Sequence, residues 1–516
     1  MTKKRLTLEG VGAALLLLLP YYCKFLLPSN LALYHHRLPV THLLGGILLD
    51  MLAYAILATG FLAAVQHLPR RAAIVLEALF AGLMVWAIVD FANLELIHLQ
   101  YRIEFWSRIW WRGAVFVPLL SAVLAWLFPR VAEPAAHAVR LCVAGVAFSA
   151  LWIVPQLLHV ALAPRPDQNA APARLSVPEQ GVSHRRIIWI LFDELSYHQT
   201  FDRPAADIQL PNFDRMRGES FSFGNVRPAG SYTERIIPSL FIGQPIDEIR
   251  SSTDGRLFYR NDSSRGWIAY DPNATLFALA QRNGWNTGID GWFIPYCRTL
   301  APVAGSCSWE PNLMLIEEYG ASEDRSALAN AALMPSRFLA LFHRTTTPEE
   351  GHIAIYRNIV AHARALIGDN RIQFVFLHIP VPHGPGIYDR RRRVLRPGGT
   401  YLDRLALADE TLGVLMKEID ATGSAGQTTV IVSSDHSWRI FLSRHSEEWS
   451  DEEERASGGC FDDRPVLLVR FPDRKTGRSV DAALPEMLEH DMIAAMLLGQ
   501  IKSPEDMNAF ISRRGR

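Results

Sequence analysis

Three short apolar runs in the second half of the sequence end directly in ionisable residues. IIWILF (187–192) runs into Asp193-Glu194, IQFVFL (372–377) into His378 with His383 close behind, and TVIVS (429–433) into Ser434-Asp435-His436. Continuous apolar runs of this length read as strands buried on both faces of a sheet. In open α/β sheets ligands bind beyond the carboxyl ends of the strands, so these polar residues should converge. Two carboxylates and a neutral imidazole, with a hydroxyl as fourth ligand, suit Zn²⁺, with Mn²⁺ and Mg²⁺ as alternatives. One such strand end would more often be a cap or a surface group; the repetition is what points to a metal site.

A metal site needs a nucleophile to become an enzyme. In GSYTERIIPSLFIG (230–243), small and hydroxyl residues precede an apolar run, which places Thr233 at or near a helix N-terminus. Backbone N–H groups and the helix dipole favour an anion there. The alternative role for Thr233 is an ordinary N-cap.

The elements that must hold these residues follow from the patterning. From Arg185 onward, apolar runs, with PVLLVRF (465–471) as a fourth, alternate with helical periodicity, which predicts an α/β domain with a mostly parallel sheet. Taken in order, Asp193-Glu194 after a strand, LPNFDRM with a Gly and a Phe behind it (210–221), Thr233 followed by Gly243, His383-Gly384-Pro385, and Ser434-Asp435-His436 resemble the sulfatase and alkaline phosphatase superfamily. The likeness runs from Arg185 to about Leu498. With an apolar first half and the Thr233 to Pro238 spacing, the chain looks like the lipid A phosphoethanolamine transferases and the lipoteichoic acid synthases.

That resemblance implies Thr233 as nucleophile and metal ligand, with Asp193, Asp435 and His436 as the other ligands. It implies that His383 contacts the transferred group or a second metal, or protonates the leaving group. Glu194, His378 and His445 are candidates for a supporting layer or a second site. Where the transferases carry Glu in a Gly-Glu-Ser/Thr element, Asp193-Glu194 is closer to the sulfatase form. Sulfatases use a formylglycine made from Cys or Ser, and the corresponding position here is Thr233, which cannot be converted. The implied activity is a metal-dependent phosphotransferase moving a phospholipid headgroup phosphate, such as phosphoethanolamine, through Thr233 to an envelope glycolipid or glycan. The competing readings are a membrane-tethered phosphatase, phosphodiesterase or sulfatase-like hydrolase, and, without turnover, a metal-binding sensor or assembly protein.

The first half reads as membrane. Runs at 10–27, 43–64, 72–91, 113–127 and 139–160 approach the roughly 20 apolar residues that span a bilayer core. Lys3, Lys4 and Arg5, then Arg70 and Arg71, then Arg130 fall on one side if five spans alternate, and positive loops mark the cytoplasm. Arg102, Arg108 and Arg112 count against this, in an expected outer loop (101–112) whose Trp and Arg pattern suits the membrane interface. Asp50, Glu77 and Asp90 are acids in or near spans, explained either by function or by buried pairing. The expected organisation is a membrane domain at 1–162, a Pro- and Ala-rich linker at 163–184, and a catalytic domain at 185–516 on the periplasmic side of a bacterial inner membrane.

Lys and Arg balance Asp and Glu at 52 each, so the charge gives no reason to expect a nucleic-acid partner. No CxxC occurs. Cys23 and Cys142 lie in apolar runs, while Cys297 and Cys307 flank a loop and are read either as a disulfide in an oxidising compartment or as free thiols.

Overall fold

The computed structural model describes residues 2–27, 31–93, 112–163, 185–311, 323–333, 348–444, 449–459, 461–473 and 477–514. The expected interfacial segment apart from Arg112, the expected linker beyond residue 163, and His445 lie outside these.

The apolar half consists of α1 (Lys3–Leu26), α2 (Ala32–His35), α3 (Thr41–Val65), α4 (Arg70–Ala92), α5 (Gly113–Leu127), α6 (Pro129–Val146) and α7 (Ala150–Leu162). Among the described residues, four stretches are long and apolar enough to cross a membrane: α1, α3, α4 and Pro129–Leu162, which α6 and α7 form with one 3-10 turn between them. The 15-residue α5 is shorter than the roughly 20 residues a bilayer core requires. Two expected boundaries move. The first helix starts at Lys3, so Lys4 and Arg5 lie inside it, and Arg5 Nε sits 2.9 Å from Glu9. The last starts at Pro129 and not at 139, because a proline at the first helical position lacks an N–H that would have had no partner there.

Small residues bring these helices together. A Cβ on Gly12 would lie 1.9 Å from the Val143 carbonyl oxygen, so α1 and α6 approach backbone to backbone. Glu77, one of the acids the sequence left open, pairs with buried Arg140, which also holds Glu9 at 2.6 Å. This ion network joins α1, α4 and α6, and each buried charge has an opposite partner.

The second half is built on an eight-stranded sheet. Its strands are β1 (Arg186–Phe192), β2 (Phe221–Phe223), β3 (Thr287–Trp292), β4 (Ser306–Glu310), β5 (Phe374–Ile379), β6 (Thr428–Ser434), β7 (Leu467–Arg470) and β8 (Arg478–Val480), in the order β8-β2-β7-β6-β1-β5-β3-β4. From β6 through β4 every pairing is parallel. The expected strand at 465–471 is present, but it runs antiparallel to both neighbours. Every residue of β1 is buried. Ile187, Trp189 and Leu191 join one core and Ile188, Ile190 and Phe192 the other, the alternation a sheet covered on both faces requires.

Four helices bear on the site: α8 (Pro211–Gly218), α9 (Thr233–Ile242), α10 (Tyr296–Thr299) and α11 (Tyr401–Ala421). The LPNF stretch opens α8, whose first N–H groups find an acceptor on α11. Asn212 and Phe213 both donate to Asp409 Oδ1, at 2.9 and 2.8 Å.

Candidate active site

Parallel pairing in register carries the ends of β1, β5 and β6 to one edge of the sheet. Asp193 follows β1 and Asp435-His436 follow β6, while His378 lies on β5 opposite Leu191 and Gly291. Ligand atoms of Asp193, Asp435 and His436 all lie within 4.8 Å of one another, and all three residues are buried.

Thr233 completes the group. The N-cap of α9 is Tyr232, in extended conformation, and Thr233 is the first helical residue. Its hydroxyl is therefore not used as a cap. Thr233 Oγ1 donates to Asp435 Oδ2 at 2.6 Å and lies 3.3 Å from His436 Nε2. At the other end of α9, Gly243 has φ +71°, and a Cβ there would meet His490 at 2.6 Å. Only glycine satisfies both constraints, which accounts for its place in the pattern.

The tautomers show what the cluster lacks. His436 Nδ1 donates to the Ser437 carbonyl at 2.9 Å, leaving a lone pair on Nε2. That lone pair faces Asp435 Oδ2 at 3.2 Å and Asp193 Oδ1 at 3.7 Å. Asp193 Oδ1 is buried without a hydrogen-bond donor. With one buried carboxylate oxygen left without a donor and the Asp435 carboxylate and His436 Nε2 turned to the same point, the residues fit a divalent metal with Thr233 Oγ1 as fourth donor.

Asp193 is held from behind. A carboxylate only accepts, so His378 Nε2–H donates to Asp193 Oδ2 at 3.2 Å, and Nδ1 accepts from the Tyr296 hydroxyl at 2.8 Å. Burial opposes ionisation of Asp193, but positive charge at His383 and the hydrogen bond from His378 outweigh it and hold the carboxyl well below its usual range. His383 caps the same turn, donating its N–H to the Asp193 carbonyl at 3.1 Å. Its Nδ1 donates to the Gly384 carbonyl at 2.6 Å, which leaves Nε2 free for chemistry.

Glu194 takes a different direction. Its φ of +67° turns the side chain away from the cluster, and Oε1 accepts from Arg439 N at 2.8 Å and Arg439 Nε at 3.3 Å. Burial again opposes its ionisation, and Arg439 reverses that effect. The pair forms one wall of a cavity of about 310 Å³, with His383, Pro385, Arg404 and Trp449 among its other lining residues. The structure thus brings together Asp193, Thr233, Asp435 and His436, with His378 and His383 beside them. Tyr296, Arg439 and Arg404 are additions. Arg439 lies three residues past His436 in SSDHSWR and was within reach of a local scan; nothing near Tyr296 marks it.

The profile of the family described as Sulfatase matches residues 185–459, more than half of the chain. The chain belongs to the sulfatase family, and its fold and donor residues suit a metal-dependent hydrolase or transferase. No curated protein sequence matches it. Among solved structures, Ps i-CgsB in complex with k-i-k-neocarrahexaose is 16% identical, covering 64% of this chain and 76% of its own, with a TM-score of 0.41. An alkaline phosphatase superfamily protein from Vibrio parahaemolyticus is 15% identical over 63% of this chain and 69% of its own, at 0.38. The phosphonate monoester hydrolase of Agrobacterium radiobacter is 12% identical over 61% and 73%, at 0.36.

Proposed function

We propose that this protein is a phosphotransferase that moves a phospholipid headgroup phosphate, such as phosphoethanolamine, to an envelope glycolipid or glycan through a covalent intermediate on Thr233. The observation that carries the reading is the Thr233 hydroxyl. It stands where an activated nucleophile is needed, 2.6 Å from Asp435 and at the start of α9. A divalent cation, most simply Zn²⁺, held by Asp193, Asp435, His436 and Thr233, would lower the hydroxyl pKa and offset charge on the phosphoryl oxygens.

In the first step Thr233 Oγ attacks phosphorus and its proton passes to Asp435 Oδ2. The bond from phosphorus to the glycerol oxygen breaks, and diacylglycerol leaves with a proton from His383 Nε2. The N–H groups at the start of α9 favour the anionic group. In the second step an acceptor hydroxyl attacks phosphorus while His383 Nε2 takes its proton, and the bond from phosphorus to Thr233 Oγ breaks as Asp435 returns its proton to the hydroxyl. Water in place of the acceptor makes the same site a membrane-tethered phosphatase or phosphodiesterase.

A lipid donor is supported by the distance from the helices to the site. His35, between α1 and α3, reaches His383 through ring contacts with Phe293 (4.2 Å), from Phe293 to Trp292 (5.7 Å) and from Trp292 to His383 (5.0 Å). In this reading the catalytic domain, 185–516, lies on the periplasmic face of a multi-pass inner-membrane protein, joined to the membrane domain, 1–162, by the linker 163–184, as the basic residues at 3–5, 70–71 and 130 suggest.

The test is the mass of the intact protein after incubation with phosphatidylethanolamine vesicles and Zn²⁺. A phosphoethanolamine adduct on Thr233, with diacylglycerol released, is expected. Phosphoester cleavage without phospholipid turnover would favour the tethered phosphatase. A strong preference for an aryl sulfate over a phosphoester would refute both.

A further inference from the structure

The chain between α1 and α3 does not simply connect two membrane helices. Leu31 and Tyr34 are buried in the same core as Trp189, Leu240 and Tyr296 of the catalytic half. Backbones nearly touch where this segment crosses the surface. A Cβ at Gly255, whose φ is +76°, would lie 2.7 Å from Leu38 and 2.9 Å from the Leu33 carbonyl oxygen.

One side chain fastens the segment. The Arg298 guanidinium, on α10, donates to the carbonyls of Leu33 at 3.3 Å and His36 at 3.1 Å, and also to that of Tyr34. His35 Nδ1 adds a bond to the Phe293 carbonyl at 3.0 Å. The same four-residue helix carries Tyr296, whose hydroxyl holds His378 and through it Asp193. The adjacent Cys297 is disulfide-bonded to Cys307 on β4. Packing around this relay is tight: a Cβ at Gly291 would lie 2.6 Å from the Tyr296 ring and 2.8 Å from His378 Cβ.

We infer that α10 is a positioning bracket through which the membrane segment 31–38, held by Arg298, sets the orientation of Tyr296, His378 and Asp193. This rests on the reading of Asp193 as a metal ligand. A single helical turn is not stable alone, so the orientation of Tyr296 is only as fixed as the anchors of its helix. Those anchors are the disulfide on one side and the membrane segment on the other. The hydrogen bond to a ligand's far oxygen fixes which lone pair its near oxygen presents, and partners of this kind are worth about 10- to 100-fold in metal affinity. Arg298 and Tyr296 are thus positioning residues, and the metal site of the catalytic half depends on the membrane half.

The experiment is a double-mutant cycle on the full-length protein in detergent, reading the Zn²⁺ dissociation constant by competition with a chelating dye. Y296F, which removes one oxygen, should weaken Zn²⁺ binding by about 10- to 100-fold. R298A should weaken it in the same direction, and the double variant should be no weaker than the stronger single one, since both act on one relay. R298K keeps the charge but not the planar fork, and should show the same pattern at smaller size, which covers the case in which R298A does not fold. Zn²⁺ affinity within twofold of wild type in R298A and R298K, or losses that multiply in the double variant, would overturn the bracket. Unchanged Zn²⁺ binding in D435A would instead strike the metal site itself.

Discussion

Asp435→Asn separates the two demands on this residue, because it keeps the shape and removes the charge. Asp435 Oδ1 accepts from the backbone N–H groups of Glu194 at 3.2 Å and His436 at 3.0 Å, and an asparagine oxygen can accept both. Its other atom becomes a donor to Thr233 Oγ1, so that contact survives with its direction reversed. What disappears is repulsion. Ligand oxygens of Asp193 and Asp435 lie within 4.8 Å, and two like charges at that separation repel by about 3 kcal/mol at an effective dielectric of about 20. Metal-free D435N should therefore be more stable than metal-free wild type, by up to about that amount. Wild type should overtake it when loaded, since free Zn²⁺ at a thousandfold excess over its dissociation constant stabilises the native state by about 4 kcal/mol. Calorimetric melting in detergent, with EDTA and then with Zn²⁺, should rank loaded wild type first, D435N second under either condition, and stripped wild type last. Metal content by mass spectrometry should fall in D435N. A variant that melts below stripped wild type and still gains stability from Zn²⁺ would show that Asp435 serves structure and not metal binding.

Thr233→Ala should abolish turnover and adduct formation without unfolding the protein, whereas Thr233→Ser, which keeps the hydroxyl, should retain measurable activity; both are read by phosphoester assay and melting temperature. A phosphatase reporter fused after Ser183 should be active and one fused after Arg71 inactive, and the opposite pattern would put the catalytic half in the cytoplasm. Burial, reinforced by Glu310 against the opposing Ser308 bond, pushes the Asp290 carboxyl up to about 8 from its usual 3.8. A proton bound more tightly in the folded state stabilises it fully below the unfolded value, and that contribution is lost as pH rises toward 8. Wild type should therefore lose a few kcal/mol of stability between about pH 4 and 8 that D290N does not lose, and parallel melting curves across that range would refute the assignment.

Much of the site was legible in the sequence because its residues follow directly from local pattern. A buried strand is a continuous apolar run, its end is where the run meets polar residues, and parallel neighbours end on the same edge. Asp193, Asp435 and His436 could be found in this way without knowing the strand order. The helical spans were legible for a similar reason, since crossing a bilayer is a local requirement of length and apolarity. Where α1 and α6 begin was less so, and the pairing of Glu9, Arg140 and Glu77 across three helices is revealed by no single segment. Thr233 was visible as a residue at a helix start, but the choice between cap and nucleophile was not. Tyr232 takes the cap position and Asp435, some 200 residues away, receives the hydroxyl. Direction was likewise decided in three dimensions: the positive φ of Glu194 turns it to Arg439, while its neighbour Asp193 faces the cluster. Tyr296 and Arg298 carry no sequence signature at all, and the pairing of Cys297 with Cys307, one of two readings the sequence left open, is settled only by the fold. Each takes its meaning from a partner on another element, and such long-range contacts depend on where the chain returns, which hydrophobic period and local spacing do not encode.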